Sequence, residues 1–168
     1  MRLFFALWPD ADAATRLTAV AARLNLQAPG RLVQPRNYHV TLAFIGEVAS
    51  SRLAHWQQIG QALRAPRCTV VFNSLEHWPE PRAVVAVAQE LPAALLGLWT
   101  QLHAAADLPR LRLRAHVTLA RKVAQAPVLQ AMSAITWRAT SVSLVRSKTG
   151  GVESAYTVLD TWPLLYEP

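Results

Sequence analysis

Lysine is nearly absent from this chain. Of seventeen basic residues fifteen are arginine, and only Lys122 and Lys148 are lysine. Acidic residues number ten, so the net charge is +7 at pH 7. An excess of planar guanidinium groups fits an anionic partner, because arginine grips phosphate in two places, although arginine bias also follows genome composition. Cysteine is limited to Cys68, which excludes an intramolecular disulfide framework and a thiolate zinc cluster and fits a reducing cytoplasm. Long hydrophobic runs are missing. The stretch 91–99 is interrupted by Pro92 and Gly97 and falls short of the ~18 residues of a membrane span. The run Leu3 to Trp8 is shorter than the roughly 7 to 15 apolar residues of a signal peptide and reads as a first strand.

What the chain does carry is apolar content: 52% hydrophobic residues against 16% charged over 168 positions. That is enough to offset chain entropy and build one substantial core, so a single domain over 1–168 is expected. The strand-length run at 2–8 stops at Pro9, and Asp10 offers a cap for a helix carrying Leu17, Val20 and Leu24 up to Pro29-Gly30. A basic loop, 31–37, leads to a strand over 38–45 that closes at Gly46. Ser50 or Ser51 caps a second helix with Leu53, Trp56, Ile59 and Leu63, ended by Pro66. Strands over 68–75 and 82–88, separated by Pro79 and Pro81, read as an antiparallel pair. A third helix starts near Pro92 with Leu91, Leu95, Leu98 and Leu102 on one stripe. Further strands are expected at 112–122, 137–147 and 152–159, the last two joined across Gly150-Gly151, with a helix over 127–135. Hairpins and helices alternate in the manner of an α+β fold.

One internal similarity carries chemistry. His39-Val40-Thr41-Leu42-Ala43-Phe44 and His116-Val117-Thr118-Leu119-Ala120-Arg121 agree at five of six positions, 77 residues apart. Both copies lie on expected strands, where side chains alternate, so each histidine shares a face with its threonine while Val40, Leu42, Val117 and Leu119 point to the core. Along a strand a histidine and the threonine two residues on are roughly 6.6 Å apart, a span one phosphate group can bridge. Side by side, the two copies would flank an anion with two imidazoles and offer it two hydroxyls. Displacement at phosphorus needs a base on one side and an acid on the other, and histidine supplies either near neutral pH.

With these motifs the sequence resembles the 2H phosphoesterases, named for two His-x-Thr/Ser-x motifs, and within them the LigT-like bacterial RNA 2′,3′-cyclic phosphodiesterases, also grouped as 2′-5′ RNA ligases. Arg2-Leu3-Phe4-Phe5-Ala6-Leu7 is similar to that family's opening strand, and Arg121 to the arginine that ends its second motif. The resemblance implies two pseudo-symmetric lobes of antiparallel sheet with outer helices and an active-site cleft between them. It also implies metal-independent, cofactor-free hydrolysis of RNA 2′,3′-cyclic phosphate ends to 2′-phosphomonoesters, reversible as 2′-5′ ligation. By motif order His39 would be the proton donor and His116 the proton acceptor, with Thr41, Thr118 and Arg121 holding the phosphate. Strict alternation puts Arg121 opposite His116, so its role requires a bulge, a strand end or a long reach around the edge. The implied partner is RNA with a cyclic phosphate end, bound by a cytoplasmic monomer.

Two other readings use the same residues: a basic RNA-binding module without turnover, and a phosphodiesterase of a small cyclic nucleotide. Arg110, Arg112 and Arg114 share parity with His116 and form either a backbone-binding track or a solvated strand face. His55 and His103, on helices, and His77, in a Pro-flanked loop, are assigned no chemistry. Trp8, Trp56 and Trp99 read as core, with room for one aromatic side chain to stack on a base near the cleft.

Overall fold

The computed structural model describes residues 1–24, 26, 30–109, 112–148 and 155–165. The expected turn at Gly150-Gly151, the helix stop at Pro29, Arg110 and the start of the last strand at Val152 lie outside them. The chain opens with β1 (Arg2–Leu7), and the Asp10 carboxylate then accepts from the Ala13 N–H at 2.8 Å to start α1 (Ala11–Ala22). A two-residue β2 (Arg31–Leu32) and a 3₁₀ turn (Pro35–Asn37) lead into β3 (Val40–Glu47). Next come α2 (Leu53–Ala62), β4 (Cys68–Phe72), β5 (Ser74–Trp78), β6 (Ala83–Val87) and α3 (Ala93–Ala105). The rest is strand: β7 (His116–Arg121), β8 (Ile135–Ala139), β9 (Ser141–Lys148) and β10 (Ala155–Pro163).

The strands form two antiparallel four-stranded sheets, β10-β9-β1-β3 and β2-β7-β6-β5, and a two-stranded β4-β8 pair, which is the α+β architecture expected. Three strands of each large sheet answer each other. In each, a motif strand pairs with a strand of the central pleat, β3 with β1 and β7 with β6, and that strand pairs in turn with β9 or β5. Register repeats too: Thr41 lies opposite Ala6 and Ala43 opposite Phe5, so Leu42 is an extra residue, while Thr118 lies opposite Val85 and Ala120 opposite Val84, so Leu119 is extra. Each motif therefore contains a bulge at the same place.

Alternation then separates two environments. Leu3, Phe5, Leu7, Val40 and Leu42 of one sheet and Val117 and Leu119 of the other join a contiguous core with the helices and Trp137. The opposite faces hold two small clusters at matching positions, Phe4, Ala6 and Val145 on one and Ala83, Val85 and Val87 on the other. The helices cross over: α1, which follows β1, packs on β7 and β8, whereas α3, which precedes β7, packs on β3 and β4.

Several expectations need correction. The strand over 68–75 breaks at Asn73; its first part pairs with β8, and only β5 forms the hairpin with β6. Residues 127–134 are irregular, because an exposed segment with Pro127 at its start has only a weak apolar stripe to bury. Ser50 and Ser51 form a 3₁₀ turn without a side-chain cap on α2, which ends at Ala62. Residues 112–115 precede the strand instead of joining it, and Thr140 separates β8 from β9.

Gly60 is where α2 meets β10, and a Cβ there would overlap the Trp162 ring. Gly60→Ala gains about 1 kcal/mol of helix propensity but forces an overpacking cost of about 1–3 kcal/mol. A net loss of stability, seen as a lower urea midpoint at unchanged slope, is expected.

Candidate active site

His39 immediately precedes β3 and His116 opens β7. The residue before each is buried, Tyr38 at 2% exposure and Ala115 at 0%, which pins the backbone on which the imidazole turns. Each ring then makes the same bond. Nδ1–H of His39 donates to the Asn37 carbonyl and Nδ1–H of His116 to the Arg114 carbonyl, both at 2.7 Å. A carbonyl can only accept, so Nδ1 carries the proton and Nε2 of the neutral ring presents a lone pair.

The surroundings of the two rings differ. His39 stacks on Trp8 (5.0 Å), lies 5.1 Å from Phe4 and meets the edge of Tyr156 at 5.1 Å. His116 lies 4.5 Å from Trp78, whose Nε1–H donates to Glu76 at 2.6 Å. Arg114 donates to both Glu76 oxygens at 2.6 and 2.8 Å and covers the Trp78 ring at 4.8 Å. The Trp78 hydrogen bond, followed by those of Arg114, holds the Glu76 carboxyl below its ordinary range.

Electrostatics show that the motifs converge. Burial above all drives the His39 pKa down to about 4, and the charges of Arg121 and His116 push it in the same direction. His116 is lowered as well, chiefly by burial and then by Arg114 and Arg121, with the hydrogen bond to the Arg114 carbonyl and the charge of Glu76 opposing. His39, His116 and Arg121 thus bear on one locus, and β3 touches β7 directly. A small pocket at the junction draws Asn37 and Tyr156 from one lobe and Arg31 and Arg121 from the other.

The bulges settle the parity of Arg121. With Leu119 extra and buried, Arg121 returns to the face of His116 and Thr118. The Leu42 bulge does the same for Phe44, which is 51% exposed and lies 4.8 Å beneath Arg2. Thr41 and Thr118 are half-buried beside their histidines. Of the basic run, Arg112 is exposed and Arg114 is engaged by Glu76. His77 lies on β5 with its Nε2 bonded to the Val123 carbonyl, and His55 packs on the edge of Trp56.

Sequence reasoning missed Trp8, Trp78, Glu76 and Phe44. Trp8 was expected in the core; it sits beside His39, and Trp137 is the tryptophan buried completely. Phe44 could have been found, since it occupies the place of Arg121 in the repeat. The apolar groove between α1 and residues 128–135 is lined by Leu75, on the opposite face of β5 from Glu76, and belongs to a different surface. Among the described residues no three His, Cys, Asp or Glu side chains are grouped as metal ligands, and no helix is long and apolar enough to cross a membrane.

Two imidazoles and two hydroxyls on duplicated strands, with an arginine on the same face, form the constellation of a phosphoesterase. Comparison with known proteins agrees. Residues 7–88 match the family model described as LigT like phosphoesterase. The RNA 2′,3′-cyclic phosphodiesterase of Escherichia coli (strain K12) is 27% identical over 97% of this chain and 96% of its own. Crystal structures of Escherichia coli LigT complexed with NADP+ and with 3′-AMP superpose with TM-scores of 0.88 and 0.87 at 26% and 25% identity, each covering 97% of both chains. Over nearly its whole length the chain is similar in sequence and fold to the LigT-like phosphoesterases.

The depressed histidines give a direct check. By proton NMR the His39 ring should titrate at about 4 in the free protein. Inorganic phosphate should move that titration upward, because an anion offsets the cations that lower it; an unchanged curve would mean that no anion binds there.

Proposed function

We propose that this chain opens the 2′,3′-cyclic phosphate end of RNA to a 2′-phosphomonoester, with His39 as proton donor, His116 as proton acceptor and Thr41, Thr118 and Arg121 as phosphate ligands. The observation that carries this reading is the convergence of His39, His116 and Arg121, each ring holding its proton on Nδ1. In this reaction His116 Nε2 takes a proton from water as its oxygen attacks phosphorus. The bond from phosphorus to the 3′-oxygen breaks opposite, and the leaving oxygen takes a proton from charged His39. The threonine hydroxyls and Arg121 stabilise the charge on the non-bridging oxygens. With the 5′-hydroxyl of a second RNA in place of water, the same displacement breaks the bond from phosphorus to the 3′-oxygen and leaves a 2′-5′ linkage, His116 taking the hydroxyl proton and His39 protonating the 3′-oxygen.

The relatives support the choice of substrate. One is named for RNA 2′,3′-cyclic phosphate hydrolysis, and two of the ligands with which LigT is complexed, NADP+ and 3′-AMP, carry respectively a 2′- and a 3′-phosphate on a ribose. The exposed Phe44 beside the site offers a flat surface to a base, which favours a nucleotide over a simple phosphodiester.

A short RNA with a cyclic phosphate end, incubated in EDTA, should be converted to the 2′-phosphate; full recovery of the cyclic end would sink the proposal. His39→Ala and His116→Ala should each lower kcat by about 10²–10⁴, and Thr41→Ala or Thr118→Ala by on the order of 10²–10³. Catalysis requires one charged and one neutral imidazole, and both rings titrate below 6.5 in the empty site. The profile of kcat/KM should therefore be a bell centred in the acid range, falling about tenfold per pH unit above it. Arg121→Gln removes a repulsive cation, so besides lowering kcat/KM it should shift the bell to higher pH.

A further inference from the structure

Among the described strands β3 is the edge of its sheet, bonded to β1 on one side only. At Leu42 it carries its extra residue, and the carbonyl there needs a donor from outside the sheet. His103 provides one, its Nε2 lying 3.0 Å from the Leu42 oxygen in a buried contact. The like-placed carbonyl of the second motif, Leu119, is met differently: it accepts the Val33 backbone N–H at 2.8 Å. One bulge is held by main chain and the other by a side chain from α3.

His103 is 9% exposed and packs 4.3 Å from Trp99. Its Nδ1 lies 3.0 Å from the Pro109 carbonyl, so both ring nitrogens face an acceptor, and the Nε2–H form is the one that bonds Leu42. Its burial gives it no path to substrate; its reach is through Leu42, the residue next to Thr41 and two before Phe44.

We infer that His103 is a positioning residue for the first motif, clamping the Leu42 carbonyl so that the bulge holds Thr41 and Phe44 on the same face as His39. The inference rests on the proposed reaction for its kinetic consequence and on the two carbonyl contacts for its geometry. Holding a reacting group to within about 1 Å is worth as much as 10²-fold in rate, so releasing the clamp should lower kcat by on the order of 10- to 100-fold.

Two isosteres separate the contacts. The amide nitrogen of His103→Gln stands where Nε2 does and keeps the Leu42 bond; that of His103→Asn stands where Nδ1 does and keeps only the Pro109 bond. With cyclic-phosphate RNA, His103→Gln should retain kcat within a few-fold, while His103→Asn and His103→Leu lose it. A double-mutant cycle should show coupling of His103→Asn to Thr41→Ala but additivity with Thr118→Ala. Equal loss in the Gln and Asn variants, or a kcat that merely tracks Tm, would overturn the inference in favour of a general structural role. If the wild-type chain fails to open the cyclic phosphate, the proposed function falls, and the ring resonances of the histidines still decide the positioning role. His103→Asn should shift the His39 signals and leave those of His116 in place; movement of both or of neither refutes the clamp.

Discussion

The bond from each imidazole Nδ1–H to the carbonyl two residues upstream is the constraint on which the site rests. It fixes the tautomer, aims the Nε2 lone pair away from the backbone, and favours the charged form enough to oppose part of the burial penalty at both rings. A net value of about 1 kcal/mol would suffice to bias the ring several-fold toward one tautomer. The bond exists only because the chain bends just before each motif strand. The 3₁₀ turn over Pro35–Asn37 delivers one carbonyl and the irregular stretch 112–115 delivers the other, while buried Tyr38 and Ala115 stop the bend from unwinding.

Duplication explains why the same geometry occurs twice, and its imperfection explains how the two halves differ in chemistry. The bulges at Leu42 and Leu119 keep the sixth residue of each motif on the cleft face, yet that residue is phenylalanine in one and arginine in the other. One lobe thereby offers a flat apolar surface and the other a cation. The register extends the comparison to the next strand: Glu76 lies opposite Val85, which faces Thr118, and Ser143 lies opposite Ala6, which faces Thr41. A carboxylate beside His116 is therefore matched by a hydroxyl on the His39 side.

Much of this was legible in the sequence, because it follows from local periodicity. The strand parity of His39 with Thr41 and of His116 with Thr118, the Asp10 cap and the leucine stripe of α3 need only neighbouring residues to be understood. The resemblance to a known family supplied the architecture. Less accessible was whatever depends on long-range pairing. Nothing local assigns β4 to β8, 63 or more residues away, in place of the adjacent β6. Counting showed that Arg121 needed a bulge, a strand end or a long reach to regain the face of His116, but nothing pointed to the bulge at Leu42, since no charged residue at position 44 called for it. Trp8 reads as core on hydrophobicity, whereas the cleft faces of both sheets are themselves apolar floors beneath polar side chains.

The inequality of the two rings bears on which does what. A pKa drop from 6.5 to about 4 means that charging His39 costs roughly 3 kcal/mol more than in water, mainly from lost hydration and then from Arg121 and His116. At His116 the carboxylate of Glu76 offsets part of the same penalty. In the empty site few molecules hold the proton on His39, which at first sight suits it poorly to be the donor. Population and strength oppose each other, however. An imidazolium of low pKa is the stronger acid toward a leaving alkoxide, and a ring of higher pKa is the stronger base toward water. The assignment of donor to His39 and acceptor to His116 uses each ring in its more reactive form. The cost is the scarcity of that form, and a bound phosphate reduces it, because its negative charge offsets the cations that disfavour a proton on His39.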